Sequence, residues 1–240
     1  MIFYRQLGPI QAMTFDLDDT LYDNRPVIRQ VEAKAMAWLH QHHPVSATRS
    51  SDWWRAIKRQ VLSDDAWLKN DVTAWRYQQI LTGLMELGYS QAQADLAASE
   101  LIERVLEFRS DFTVPDESHQ VLAQLASVMP LVAITNGNVD VDKIGLAGYF
   151  SLILKAGPDG YAKPHPQLFD KAVQFLDLPR VSILHVGDHV VTDVLGAKNS
   201  GLSACWFNDQ FQSIYDQPRA TTLPDVEVKR LQDLLLLSEI

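Results

Sequence analysis

Cysteine is almost absent from this 240-residue sequence, which contains only Cys205. A single thiol excludes an intramolecular disulfide and a cysteine-based zinc site. Such sparing use of cysteine is typical of the reducing cytoplasm, where we expect the protein to act. Cys205 falls in a predicted buried strand, so we expect an inert thiol that packs in the core.

Long hydrophobic runs are also missing. No apolar stretch approaches the roughly 18–20 residues that a membrane-spanning helix needs. The first eight residues have no uninterrupted apolar core of the kind found in secretion signals. We therefore expect neither membrane insertion nor secretion.

Basic residues are outnumbered, with 21 Lys and Arg against 30 Asp and Glu, a formal net charge of −9. That balance argues against a nucleic-acid partner, which normally binds a basic surface. Hydrophobic residues make up 47% and charged residues 21% of the chain, as in ordinary folded proteins. The length predicts one or two domains.

Hydrophobic periodicity divides the chain into three stretches. Residues 10–15 form a short apolar run that stops at Asp16, which is typical of a buried strand opening into a loop. Residues 23–112 carry apolar side chains at helical spacing and predict about four helices. From residue 114 onward, helices alternate with short apolar runs that predict strands near 131–134, 152–154, 182–186 and 204–207.

Strands that alternate with helices predict right-handed crossovers and a mainly parallel sheet. The predicted fold class is therefore α/β, with a doubly wound, Rossmann-like sheet and an all-helical insertion after the first strand. We expect residues 1–22 and 113–240 to form the α/β core and residues 23–112 to form the all-helical insertion.

Polar side chains follow several of the predicted strands at their carboxyl ends, where open parallel sheets bind ligands. We expect folding to bring these groups into one crevice, together with a lysine from the loop before a helix. The candidate site residues are Asp16, Asp18, Thr135, Asn136, Lys163, Asp188 and Asp193.

Several carboxylates in one crevice predict a bound cation, because close like charges raise one another's pKa. Mg²⁺ takes oxygen ligands, and it usually binds one or two carboxylates together with a substrate phosphate. Asp16 and Asp188 are the predicted direct carboxylate ligands. The predicted cofactor is therefore Mg²⁺, and the predicted partner is a small phosphorylated metabolite.

Asp16 and Asp18 form a pair with complementary tasks. If strand geometry continues, both side chains project to one side and Leu17 turns away. One carboxylate can then attack a phosphoryl group, giving an aspartyl-phosphate, while the other handles the proton. The Lys163 ammonium and the Thr135 hydroxyl would neutralise charge on the phosphoryl oxygens.

The ordered motifs resemble those of the haloacid dehalogenase-like hydrolase superfamily: Asp16–Thr20, Thr135–Gly137, Lys163–Pro164 and Gly187–Asp193. The resemblance implies a phosphatase with a mobile helical cap. By resemblance, Asp16 is the nucleophile, Asp18 is the acid/base and offers its backbone carbonyl to Mg²⁺, and Asp193 supports the metal shell. The implied substrate-binding set is Asp16, Asp18, Thr135, Asn136 and Lys163, and the implied metal set is Asp16, Asp18, Asp188 and Asp193.

One position departs from the family pattern. His189 follows Asp188 where relatives often carry a small polar or acidic residue. Two interpretations stay open: the ring adds a contact to the metal shell, or it points to solvent, which is favoured. Within the family, residues 3–26 resemble phosphatases of riboflavin metabolism, which implies flavin mononucleotide (FMN) or 5-amino-6-(5-phospho-D-ribitylamino)uracil as substrate.

Two other functions fit parts of the pattern. A 2-haloacid dehalogenase would use the same carboxylate to attack carbon, but halide release needs no proton donor such as Asp18. A phospho-accepting signalling module also gathers Asp, Thr, Lys and Mg²⁺, but it does not need a large helical insertion. The insertion is rich in tryptophan, for which packing is favoured over a stacking surface for a flat ring; these residues are Trp38, Trp53, Trp54, Trp67 and Trp75.

Overall fold

The computed structural model of the protein describes residues 1–237. Its single sheet has seven strands: β1 (Ile2–Phe3), β2 (Ala12–Phe15), β3 (Leu131–Thr135), β4 (Leu152–Lys155), β5 (Ile183–Gly187), β6 (Ser203–Phe207) and β7 (Val226–Val228). The strand order is β1-β7-β6-β5-β2-β3-β4, and only the β1–β7 pair is antiparallel. The predicted α/β class with a mainly parallel sheet is confirmed.

The centre of the sheet is formed by β2, which lies between β3 and β5. Every residue of these three strands is buried, as expected for parallel strands covered on both faces. From β2 the chain winds outward through β3 and β4, and it then returns to place β5 on the other side of β2. This reversal opens a crevice at the carboxyl end of β2, where doubly wound sheets bind ligands.

The α/β part also contains helices α5 (Asp116–Ala126), α6 (Gln167–Leu176) and the short α7 (Gly196–Asn199), and a π-helical turn, Val190–Leu195, runs directly into α7. Helix α6 buries Leu168, Phe169 and Ala172 on one face. These side chains join those of the π-helical turn and of the strands in one apolar cluster. This cluster packs α6 and the π-helical turn against one face of the sheet.

The predicted all-helical region contains α1 (Asn24–His42), α2 (Ser51–Asp64), α3 (Val72–Glu86) and α4 (Gln91–Arg109). The Ser90 hydroxyl and the Gln93 side chain form the predicted capping box of α4. Trp54 is buried against Gly83, where a Cβ would lie 2.2 Å from its ring, so this tryptophan packs in the helical core. Trp67, in contrast, is 40% exposed.

By its internal contacts the chain separates into two compact units. One consists of residues 1–24, 113–137 and 141–240, and the other of residues 25–112 and 138–140. Within the described residues, no helix combines the length and the apolar character that a membrane crossing requires.

Candidate active site

Three carboxylates meet at the carboxyl ends of β2 and β5. Asp16 directly follows β2, Asp188 directly follows β5, and Asp193 lies in the π-helical turn behind it. Each offers an oxygen atom, and these atoms all lie within 4.8 Å of one another. The structure thus brings together three predicted site residues that stand up to 177 positions apart in the sequence.

Lys163 provides the counter-charge for this group. Its Nζ atom lies 2.8 Å from Oδ1 of Asp16 and 2.6 Å from Oδ1 of Asp193, and the side chain is only 1% exposed. Burial lowers the pKa of Lys163, but the two carboxylates raise it more, so the ammonium stays charged. One oxygen of Asp16 is therefore held in a fixed position by a buried cation.

Asp193 is saturated with hydrogen-bond donors. Its Oδ1 atom accepts from Lys163 and from Nε2 of His185, at 2.6 and 3.2 Å. Its Oδ2 atom accepts from the His189 backbone N–H and the Thr192 hydroxyl, at 3.0 and 3.3 Å. Because a carboxylate offers about four lone-pair sites, Asp193 has little capacity left for a direct metal bond. Burial raises the pKa of Asp193, but Lys163 and His185 lower it well below its usual range.

Asp16 and Asp188 differ from Asp193, because their pKa values are raised and not lowered. Burial and the neighbouring carboxylates raise the pKa of Asp16 to about 7, against the effect of Lys163. Burial, Asp193 and Asp16 raise the pKa of Asp188 to about 8. Two carboxylates that resist ionisation side by side are a donor set that a hard divalent cation stabilises. The residues present therefore fit Mg²⁺, with Asp16 and Asp188 as the available oxygen ligands.

The loop after β3 lies beside the loop that carries Asp18. Thr135 is fully buried, and its Oγ1 atom accepts the backbone N–H of Gly137 at 2.9 Å, which leaves the hydroxyl proton able to donate. A Cβ on Gly137 would lie 2.3 Å from Oδ2 of Asp18. Glycine at this position therefore allows Asp18 to lie against the Thr135 loop.

Asn136 is engaged by the lysine loop. Its Nδ2 atom donates to the backbone carbonyl of Lys163 at 3.0 Å, and its Oδ1 atom accepts the Lys163 N–H at 2.8 Å. This two-point contact fixes the backbone from which the ammonium projects. The substrate contact expected of Asn136 stays a prediction.

Asp18 is oriented by an aromatic side chain that sequence reasoning did not single out for a role. The phenol of Tyr22 donates to Oδ1 of Asp18 at 2.6 Å. Between them, Asp19 adopts a left-handed conformation with φ 58°, which turns the chain tightly after β2. Asp18 lies outside the three-carboxylate group, and the resemblance assigned only its backbone carbonyl to the metal.

His189 caps the π-helical turn. Its Nδ1 atom accepts the backbone N–H groups of Val191 and Thr192 at 3.2 and 3.1 Å. His189 is exposed, in keeping with the favoured interpretation that its ring points to solvent. The ring also has a structural role, as the cap of the π-helical turn. The backbone N–H of the same residue holds Asp193, so this position orders the acidic loop without being part of the carboxylate group.

Comparisons with known proteins identify the family to which the chain belongs. Residues 10–201 match the family model described as haloacid dehalogenase-like hydrolase. The chain is 39% identical, over 99% of its length and 100% of the relative, to the 5-amino-6-(5-phospho-D-ribitylamino)uracil phosphatase YigB of Escherichia coli (strain K12). It is 27% identical, over 95% and 98%, to a phosphoserine phosphatase of Thermus thermophilus.

The fold is likewise shared with a solved structure. A 2-haloacid dehalogenase from Pseudomonas syringae pv. Tomato DC3000 superimposes with a TM-score of 0.89 at 34% identity, covering 95% of this chain and 97% of the other. Its name and that of the Escherichia coli relative denote different reactions, so the two likenesses agree on the family and not on one reaction. The chain belongs to the haloacid dehalogenase-like hydrolase family and is an enzyme of that family.

Proposed function

We propose that the protein is a Mg²⁺-dependent phosphomonoester hydrolase that works through an aspartyl-phosphate on Asp16. The observation that carries this proposal is the pairing of a buried, lysine-held carboxylate with a second carboxylate two residues later. Lys163 holds Asp16 at 2.8 Å, and Tyr22 holds Asp18 at 2.6 Å. A nucleophile and a proton-transfer group are thus separately oriented at the carboxyl end of β2.

In this proposal the carboxylates of Asp16 and Asp188 would bind Mg²⁺. The backbone carbonyl of Asp18 is the further ligand that the resemblance implies. Asp193 supports the site through Lys163, because its oxygens are already hydrogen bonded. When bound, Mg²⁺ supplies positive charge that offsets both the carboxylates and the phosphoryl oxygens.

The first step transfers the phosphoryl group to the protein. A carboxylate oxygen of Asp16 forms a bond to phosphorus while the bond from phosphorus to the leaving oxygen breaks. Asp18, protonated at this stage, gives its proton to that oxygen, so the product leaves as an alcohol. The Lys163 ammonium and the Thr135 hydroxyl are placed to stabilise the charge on the phosphoryl group.

The second step returns the enzyme to its starting state. Asp18, now ionised, takes a proton from a water molecule, whose oxygen bonds to phosphorus as the acyl-phosphate bond breaks. Inorganic phosphate leaves, Asp16 is again a carboxylate, and Asp18 is again protonated. We propose that residues 23–112 act as a cap that limits access of bulk water between the two steps.

A dehalogenase is the second candidate, since the Pseudomonas syringae relative carries that name. The deciding assay measures phosphate release from an aryl phosphate with Mg²⁺ and with EDTA, and halide release from 2-chloropropionate. Repeated, EDTA-sensitive phosphate release supports our proposal. Metal-independent halide release would favour the dehalogenase, and one phosphorylation per chain without turnover would indicate a signalling module.

The substrate we propose is FMN or 5-amino-6-(5-phospho-D-ribitylamino)uracil. The support is the 39% identity, over the whole of both chains, to the Escherichia coli phosphatase whose name contains the latter compound. A panel of phosphorylated metabolites ranked by kcat/KM tests this. The proposal predicts that one of the two ranks first, and it fails if a sugar phosphate or phosphoserine is preferred by tenfold or more.

A further inference from the structure

A polar pair lies next to the apolar cluster that contains Phe169. Thr14 and His185 are register partners on the adjacent parallel strands β2 and β5, and both are completely buried. Oγ1 of Thr14 lies 2.8 Å from Nδ1 of His185. The Phe169 ring packs edge-on against the His185 ring, with the two ring centroids 5.0 Å apart and an interplanar angle of 86°. Water has no access to this pair.

The pair belongs to the same face of the sheet as the nucleophile. Because side chains alternate along a strand, Thr14 and Asp16 project to one side of β2. The other ring nitrogen of His185, Nε2, lies 3.2 Å from Oδ1 of Asp193. That same oxygen accepts from Lys163, which in turn holds Asp16. A continuous buried chain of contacts therefore runs from Thr14 to the nucleophile.

The direction of the hydrogen bonds follows from the groups themselves. An ionised carboxylate only accepts, so Nε2 of His185 must carry the proton that is shared with Asp193. In a neutral ring Nδ1 is then an acceptor, and the Thr14 hydroxyl donates to it. Thr14 therefore selects the tautomer in which the imidazole can donate to Asp193.

Stability alone is a poor reason for this arrangement. Replacing both partners of a buried hydrogen bond with apolar groups of similar shape is close to neutral, whereas removing one partner is costly. The surrounding cluster, with Ala12, Phe169 and Val194, would accept such a replacement. The presence of two polar side chains, Thr14 and His185, is better explained by the contact of His185 with Oδ1 of Asp193.

We propose that His185, set by Thr14, is a positioning residue for the catalytic lysine: it fixes Oδ1 of Asp193, and through it the Lys163 ammonium on Asp16. This inference rests on the proposed function. It assigns no contact with substrate to His185. Its effect is on the geometry of the charged pair that receives the phosphoryl group.

The kinetic test compares His185→Leu, His185→Gln, Thr14→Val, Thr14→Ser and the double variant Thr14→Val/His185→Leu. With an aryl phosphate, we expect kcat to fall about ten- to hundredfold in the leucine and double variants, with KM within about twofold. Glutamine offers an amide donor at a similar reach and serine retains the hydroxyl, so these two should recover most of kcat.

The double variant separates positioning from stability. We expect it to melt near the wild-type temperature, because no buried polar group is left without a partner, and still to have the low kcat. A double variant with wild-type kcat overturns the inference. Adding His185→Leu to Asp193→Asn should cause no further loss of kcat, because both substitutions act through Oδ1 of Asp193. If the losses of the two single variants multiply in the combined variant, the proposed route is wrong.

A measurement that does not depend on turnover tests the inference separately from the proposed function. Nitrogen NMR of isotope-labelled histidine rings, assigned with His185→Gln, should show His185 protonated at Nε2, with that signal shifted in Asp193→Asn. A ring protonated only at Nδ1 overturns the inference even if the enzyme is an active phosphatase. If the wild-type protein hydrolyses no phosphomonoester, the proposed function fails and the kinetic role of His185 fails with it, while the NMR result still decides the hydrogen bonds.

Discussion

The phenol of Tyr22 donates a 2.6 Å hydrogen bond to Oδ1 of Asp18, and the tyrosine itself is buried. This contact orients the acid/base of the proposed mechanism from within its own loop. We expect Tyr22→Phe to lower kcat about tenfold, the value of one hydrogen bond, with little change in KM. Tyr215→Phe, at a position that is 79% exposed, is the matched control. Equal kcat in the two variants would show that the contact is dispensable.

Two glycines of the site are expected to respond differently to alanine. At Gly137 the new Cβ comes closest, at 2.3 Å, to Oδ2 at the end of the Asp18 side chain, which can turn away, and it lies 3.3 Å from Oγ1 of Thr135. At Gly187 it meets Cγ and Cβ of the buried Asp193 at 2.4 and 2.5 Å, where nothing can move cheaply. Gly137→Ala should therefore lower kcat with a nearly unchanged melting temperature, whereas Gly187→Ala should also lose about 1–3 kcal/mol of stability.

Gly148→Ala is the control for both variants, because a Cβ there has nothing within 4 Å. Steady-state kinetics and thermal melting of the three proteins provide the comparison. Gly187→Ala with wild-type stability would mean that the packing around Asp193 is looser than the structure shows.

The central part of the fold was predictable because its signals are local. Each of β2, β3 and β5 reads as an apolar run that stops at a polar residue, and Asp16, Thr135 and Asp188 stand at those stops. The outer strands β1 and β7 have two and three residues, too short to show any periodicity. Their pairing, Ile2 with Glu227 and Phe3 with Val226, joins residues more than 220 positions apart.

The supporting side chains of the site were not predictable, for a related physical reason. His185 reads as one polar residue within a buried strand, and its partners Thr14 and Asp193 become visible only when β2 and β5 are in register. Tyr22 reads as one more apolar residue after the first motif. Motif spacing identifies groups at strand ends, but it carries no information on which side chains orient them.

Asp188 should make the metal-free protein less stable as the pH rises. Its pKa of about 8 lies above the value near 4 of an unfolded chain, so the folded state binds the proton more tightly. The free energy of unfolding therefore falls between about pH 4 and pH 8, by up to about 1.4 kcal/mol per pH unit for this group. Asp188→Asn should remove that part of the slope, and Mg²⁺ should flatten the wild-type curve.

Melting temperatures in EDTA and in Mg²⁺, measured across this pH range, check the expectation. Asp64→Asn removes one exposed carboxylate from α2 and is the control for the change in net charge. If wild-type and Asp188→Asn proteins lose stability in parallel as the pH rises in EDTA, the electrostatic account of the site is wrong.

Cys205 should behave as an inert core thiol. It is 1% exposed, and burial raises its pKa above the ordinary range. Because the thiolate is the reactive form, a thiol reagent should leave the native protein unmodified at pH 8 and label one site per chain in denaturing urea. Rapid labelling of the native protein would place Cys205 in a region that opens readily.

The most direct test of the proposed chemistry is to trap the phosphorylated enzyme. Asp18→Asn lacks the group that activates water in the second step, whereas an aryl phosphate needs little help from a proton donor in the first step because its leaving group is a stable phenolate. After mixing with an aryl phosphate and Mg²⁺, this variant should therefore accumulate a phosphoryl group. Acid quenching, proteolysis and mass spectrometry should place that group on the side chain of residue 16, and Asp16→Asn should carry none. Phosphate release without any modification of Asp16, or an Asp16→Asn variant with near-normal turnover, would contradict the account.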